Sequence, residues 1–127
     1  MKAYSKTLKY IKEIGKISIA DIKRGDISAT GEMYAKGHFK GDFEADMITI
    51  NAYMGEDAVS PYYPYIKENE KGLFILLKTS NPGAKEIQDI ECNGKPYYEH
   101  MAELIEKWSA SFLGDCGFSS IGAVVGL

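Results

Sequence analysis

The sequence predicts an α/β protein whose parallel strands are joined by right-handed crossovers, and three observations carry that prediction. Segments of helical and of strand periodicity alternate along the 127 residues. The strand segments are almost continuously apolar, as expected where helices cover a sheet. Polar residues gather at the C-terminal ends of three successive strands: Asp21 and Lys23, Asn51 and Tyr53, Thr79 and Ser80. Ligands bind at that end of the sheet in βα architectures, so these groups are expected to converge on one site.

Each element has its own signal. Tyr4, Leu8 and Ile11 recur at helical spacing in "KAYSKTLKYIKEI", Gly15 marks the stop, and "KISIADI" reads as a strand. A second helical segment, "SATGEMYAKGHF", is followed by the β-branched run "ADMITINAY". The stretch "DAVSPYYPYIKENEKG" reads as helical, with Pro61 and Pro64 tolerable near its first turn. The strand "LFILLKTS" and the turn "NPGA" come next. Tyr97, Met101, Leu104, Ile105, Trp108 and Phe112 then mark one apolar helix face, and "IGAVVGL" closes the series as a strand. The count is four strands separated by three helices, with one more helix in front.

Composition narrows the function classes. A chain of 127 residues, 45% hydrophobic, is long enough for one domain with a core and too short for two ordinary ones. Its 18 acidic and 15 basic residues are scattered without a basic stripe, which argues against a nucleic-acid partner. Apolar runs such as "LFILL" fall far short of the roughly 20 residues that span a bilayer, and "MKAYSKTLKY" has no signal core. No membrane association is expected, and the reading is a cytoplasmic protein. Cys92 and Cys116 form no C-x-x-C pair, and His38 and His100 stand far apart, so no metal site is expected.

The charged motif "IADIKRGDISAT" is where chemistry is legible. Strand alternation places Asp21 and Lys23 on one face, with Asp26 following where the strand turns into a loop, so the ammonium can sit between two carboxylates. A lysine so placed suits proton donation better than proton abstraction. Two carboxylates also repel a substrate carboxylate and favour its departure as neutral carbon dioxide, while the ammonium stabilises and protonates the carbanion left behind. That chemistry is decarboxylation without a cofactor. Taken alone, D-x-K-x-x-D is also the pattern of a solvated salt-bridge cluster, and an alternative is a flavodoxin-like regulator in which Asp21 and Asp26 hold magnesium.

The motifs in order resemble those of the orotidine 5′-phosphate decarboxylase family. "IADIKRGDISAT" is similar to the charged signature of the family's third barrel strand, "ITINAYMGEDA" to the fourth strand and its loop, and "LLKTSNPGA" to the fifth. "YYEHMAELIEKW" with "IGAVVG" resembles the next helix and the sixth strand; the wording "KRGDI", "NAYMG" and "TSNPGA" resembles the longer bacterial branch. The resemblance implies a partial TIM (β/α)8 barrel, strands three to six, occupying residues 1–127. It implies decarboxylation of orotidine 5′-monophosphate (OMP) to UMP in pyrimidine biosynthesis, without a cofactor. Lys23 would protonate the ring carbon that loses carbon dioxide, and Asp21 would press on the departing carboxylate and hold Lys23. Asp26, Ile27 and Thr30 would reach into the site of a neighbouring subunit, as in a homodimer, and Ser80 would bond the pyrimidine edge. Asn51, Tyr53 and Thr79 belong to the same mouth by the strand-end argument.

The departures from the family pattern set a second expectation. A closed barrel takes about 250 residues, and the first-strand Asp, the second-strand Lys and the late phosphate-gripping Gln and Arg find no counterpart in this sequence. Its single Arg, Arg24, lies inside the charged motif. Remote phosphate contacts supply binding energy that organises the transition state, so the chain as written is expected to be truncated and a weak or inactive catalyst alone. The alternative reading is a non-catalytic half-barrel that weakly binds nucleotide and self-associates to cover its open edges.

Overall fold

The computed structural model describes residues 2–126. The chain runs α1 (Lys2–Glu13), β1 (Ile19–Arg24), α2 (Ser28–Phe39), β2 (Met47–Ile50), α3 (Tyr63–Asn69) and β3 (Gly72–Lys78). A short hairpin of β4 (Glu91–Cys92) and β5 (Lys95–Pro96) then leads into α4 (Tyr97–Ser109) and the closing strand β6 (Ile121–Val125). Strands β1, β2, β3 and β6 form one sheet in that order, and each neighbouring pair is parallel. Because spatial order follows chain order, every connection crosses the same face of the sheet.

That face holds the core. Ile48 and Ile50 of β2, Leu73 and Ile75 of β3 and Ile121 of β6 pack with Leu8, Ala35, Phe39, Ile66, Met101, Ile105 and Trp108 from the four helices. Strand alternation sends Met47 and Thr49, Phe74 and Leu76, and Gly122 and Val124 to the opposite face, which no helix covers. There Phe74 lies across Gly122, where an added Cβ would stand 2.9 Å from the ring.

The two ends of the sheet are built differently. At the N-terminal end, the Asp46 carboxylate accepts hydrogen bonds from the Ser18 amide (2.8 Å) and hydroxyl (2.7 Å). Beside it the buried Lys71 pairs with Glu44 at 2.9 Å. These groups tie together the starts of β1, β2 and β3 and leave the C-terminal end for the site.

Several elements differ from the sequence reading. Strand β1 begins at Ile19 and not at Lys16, and only Tyr63–Asn69 of the expected 57–72 helix is α-helical. Two short 3-10 turns, Glu56–Ala58 and Ser60–Tyr62, precede it, the second opened by the Pro61 that the helix had been expected to absorb. Leu104 is exposed, so the buried stripe of α4 runs Met101, Ile105 and Trp108, spaced four and three residues apart. The β4–β5 hairpin turns through Asn93 and Gly94, both in the left-handed region. Among the described residues, no helix is long and apolar enough to cross a membrane.

Candidate functional site

The C-terminal end of β1 is irregular, and the irregularity makes the site. Ala20 pairs with Ile48 and Arg24 with Ile50, so three residues of β1, Asp21 to Lys23, stand opposite the single residue Thr49. Lys23 takes up the excess with a left-handed backbone, φ 48°, a conformation that non-glycine residues hold only when their surroundings impose it. Its amide, taken out of the ladder, donates to Thr49 Oγ1 at 3.0 Å. The same hydroxyl donates to Asp21 Oδ1 at 2.8 Å. The other carboxylate oxygen, Oδ2, receives the Lys23 ammonium at 2.5 Å. The Lys23 ammonium first, and then the Thr49 hydroxyl, hold the Asp21 carboxyl below the usual carboxylate range.

Asp26 is placed elsewhere. Among the described residues Lys23 forms one ion pair, with Asp21, so the ammonium does not sit between two carboxylates in this chain. Asp26 Oδ1 accepts the Ile27 amide at 2.9 Å where α2 begins. Ile27 and Thr30, at the entrance to α2, are exposed. The loop is held from below by two glycines. A Cβ on Gly25 would meet the Asn51 carbonyl oxygen at 2.8 Å, and one on Gly31 would meet the Asp26 carbonyl oxygen at the same distance.

The remaining strand-end residues divide between two clefts. Asn51 and Tyr53 line a cleft of about 380 Å³ with Leu76, Ile87 and Met101. Asn51 Oδ1 is engaged by the Tyr53 amide at 3.0 Å, and the Tyr53 ring is exposed. Thr79 and Ser80 line a neighbouring cleft of about 460 Å³ with Lys78, Tyr98 and Val125. Thr79 is internally satisfied: its amide donates to Gln88 Oε1 (2.8 Å), and its hydroxyl donates to Asn81 Oδ1 (2.7 Å) while accepting from Gln88 Nε2 (2.9 Å). Ser80 is exposed, and its backbone lies so close to Gly126 that a Cβ there would meet the Ser80 nitrogen at 2.8 Å. The Asp21–Lys23 pair lines neither cleft. It stands on the helix-free face, where an open four-stranded sheet provides no opposite wall.

Sequence reasoning missed Thr49, Gln88 and Asn81. Thr49 alone had a usable signal: in "MITI" it alternates with two buried isoleucines, which marks a polar group on the opposite face. Arg24 lies with its guanidinium 5.0 Å from the Tyr34 ring centroid, a cation–π contact with α2. Among the described residues no group of three or more His, Cys, Asp or Glu side chains is arranged to hold a metal ion.

Comparison with known proteins places this geometry in context. The sequence model of the orotidine 5′-phosphate decarboxylase / HUMPS family matches residues 2–126. The chain is 54% identical over 127 residues to an orotidine 5′-phosphate decarboxylase of Clostridium novyi, covering 99% of this chain and 44% of that protein. It is 58% identical to one from Clostridium botulinum strain Loch Maree, covering 99% of this chain and 45% of that protein. Among solved structures, OMP decarboxylase of Leishmania donovani aligns with a TM-score of 0.81 at 31% identity, covering 98% of this chain and 45% of that one. Orotidine 5′-monophosphate decarboxylase of Plasmodium berghei aligns with a TM-score of 0.84 at 29% identity, covering 97% of this chain and 39% of that one. The chain thus spans a little under half the length of the curated relatives it matches.

Proposed function

The chain belongs to the orotidine 5′-phosphate decarboxylase / HUMPS family, and on that premise we propose that its Asp21–Lys23 pair serves the cofactor-free decarboxylation of OMP to UMP. The observation that carries this reading is the ammonium of Lys23 held 2.5 Å from Asp21 at the C-terminal end of a parallel strand. With the substrate carboxylate placed against Asp21, like charges disfavour the bound ground state, and the repulsion disappears as carbon dioxide forms. The bond between ring carbon and carboxyl breaks, its electron pair stays on the ring carbon, and Lys23 Nζ supplies the proton that forms the new C–H bond. The neutral amine left behind regains its proton from water.

The other site residues take supporting roles in this proposal. Ser80, exposed just past the end of β3, bonds the pyrimidine edge from the cleft it shares with Thr79, and Asn51 and Tyr53 contribute from the neighbouring cleft. Ile27 and Thr30 are exposed, as a contribution to a neighbouring subunit's site requires, and the half-buried Asp26 beside them, unpaired with Lys23 within one chain, accords with that arrangement. The test follows the absorbance of OMP on mixing with the chain, with Lys23→Ala as control. Turnover in the wild type that is lost in the control is the expected result; turnover that survives in the control removes Lys23 from its role.

A second reading rests on the open sheet. Strands β1 and β6 form its two edges, and Ile19 and Val125 on them are 53% and 60% exposed. Uncovered parallel edges beside an apolar face favour association of copies into a homodimer or higher oligomer, with weak nucleotide binding in place of turnover. Sedimentation velocity separates the cases, since a strictly monomeric chain at micromolar concentration contradicts self-association.

A further inference from the structure

We propose that Thr49 is the positioning residue of the Asp21–Lys23 pair: one hydroxyl on β2 bridges the Lys23 backbone and the Asp21 carboxylate and so fixes the pair from both ends. The hydrogen-bond chemistry leaves a single assignment. An ionised carboxylate only accepts and an amide N–H only donates, so the one Thr49 proton goes to Asp21 Oδ1 (2.8 Å) and a lone pair of Oγ1 takes the Lys23 N–H (3.0 Å). With Lys23 Nζ on Asp21 Oδ2, the contacts close a ring: Lys23 amide, Thr49 hydroxyl, Asp21 carboxylate, Lys23 ammonium.

Thr49 is fitted for this in three ways. It is the single residue facing three residues of β1, so its hydroxyl stands where a ladder carbonyl would otherwise meet the Lys23 amide. It is 5% exposed, so water does not readily replace it, whereas Asp21 and Lys23 are exposed. Its β-branched side chain has few rotamers on a strand, which makes the hydroxyl direction a property of the backbone. The pair is otherwise an exposed carboxylate and a long, solvated ammonium, whose ion pair alone imposes little geometry. The left-handed Lys23 backbone, φ 48°, coincides with this bridge, as expected of a conformation that non-glycine residues hold only when their surroundings impose it.

The functional meaning of this bridge rests on the decarboxylase reading, but its existence does not, and the experiment separates the two. The carboxyl carbon of Asp21 is titrated by NMR in the full 127-residue chain for wild type, Thr49→Val and Thr49→Ser. Thr49→Val keeps shape and removes both hydrogen bonds, while Thr49→Ser keeps the hydroxyl. The Asp21 midpoint is expected to rise in Thr49→Val and to stay at the wild-type value in Thr49→Ser; a Thr49→Val midpoint equal to wild type overturns the proposal. Hydrogen exchange of the Lys23 amide in the wild type gives a second reading that needs no variant to fold. Protection supports the bridge, and exchange at the rate of an open amide overturns it.

OMP turnover supplies the functional arm. Thr49→Val is expected to lower kcat about a hundredfold with KM little changed, the loss expected for a reacting pair displaced by about 1 Å, and Thr49→Ser is expected to restore it. Wild type without turnover counts against the decarboxylase reading and leaves the titration to decide Thr49 by itself. Turnover in which Thr49→Val matches wild type overturns the positioning role.

Discussion

Two glycines in α2, six positions apart, make a matched test of how the loop carrying Asp26 is held. Gly31 lies under that loop: an added Cβ would stand 2.8 Å from the Asp26 carbonyl oxygen and 2.9 Å from Pro61 Cγ. Gly37 has nothing within 4 Å of the same added atom. Both substitutions to Ala gain helix propensity, worth about 0.8–1 kcal/mol in a helix interior. At Gly37 that gain stands alone, so Gly37→Ala is expected to stabilise the chain by about 0.5–1 kcal/mol. At Gly31 the new methyl is about 0.5 Å too close to a backbone oxygen and a ring carbon, and neither can step aside as a flexible side chain would. Overpacking of this kind costs about 1–3 kcal/mol, so Gly31→Ala is expected to be net destabilising by about 1 kcal/mol. Urea unfolding of both variants at neutral pH reads the difference, expected near 2 kcal/mol with unchanged m-values. If Gly31→Ala stabilises as much as Gly37→Ala does, the contact between the Asp26 loop and α2 is not as close as described, and the argument that Asp26 is held away from Lys23 loses its support.

Two further predictions concern the scaffold. Asp46→Ala removes the acceptor of the Ser18 amide and hydroxyl and is expected to cost about 2 kcal/mol at neutral pH, kept to the lower part of the range for charged hydrogen bonds because Asp46 is half-buried. Burial pushes the Asp46 carboxyl up, but the Ser18 donors, with Lys71 and Lys12, outweigh it and hold its pKa below the ordinary value. The wild-type advantage is therefore present above the unfolded-state value of about 4 and is lost as pH falls through the folded-state value, so unfolding curves of the two proteins should converge in acid; a gap that widens there contradicts the assignment. Trp108→Ala empties a buried site on α4 and is expected to cost about 3–5 kcal/mol; a loss under about 1 kcal/mol in thermal or urea unfolding would show that α4 does not pack as described.

Much of the fold was legible because periodicity and burial coincide in it. The alternation in "MITI" and the near-continuous apolar run "LFILL" reflect one face under helices, and "SATGEMYAKGHF" marks α2 (Ser28–Phe39) to the residue. The 57–72 stretch was harder: prolines compatible with a first helical turn are equally compatible with 3-10 turns, and only packing decides. At the site, Asp21 and Lys23 meet as strand alternation predicts, although through a bulged backbone that alternation does not contain. Asp26 does not pair with Lys23 within this chain, because spacing says how far along the chain a carboxylate lies, while the tight Gly31 contact bears on where the loop carries it. Thr49 went unnoticed because its partners are 26 and 28 residues away and its role depends on register, which a single strand does not disclose.

The measurement that reaches the central claim most directly is a single-turnover experiment with the chain in excess over OMP labelled in its carboxyl group, counting labelled carbon dioxide for wild type and Lys23→Ala. Release by the wild type that is absent from Lys23→Ala is the predicted result. Equal release from both contradicts the assignment of decarboxylation to the Asp21–Lys23 pair of this chain, and no release from either assigns the isolated chain to the non-catalytic reading.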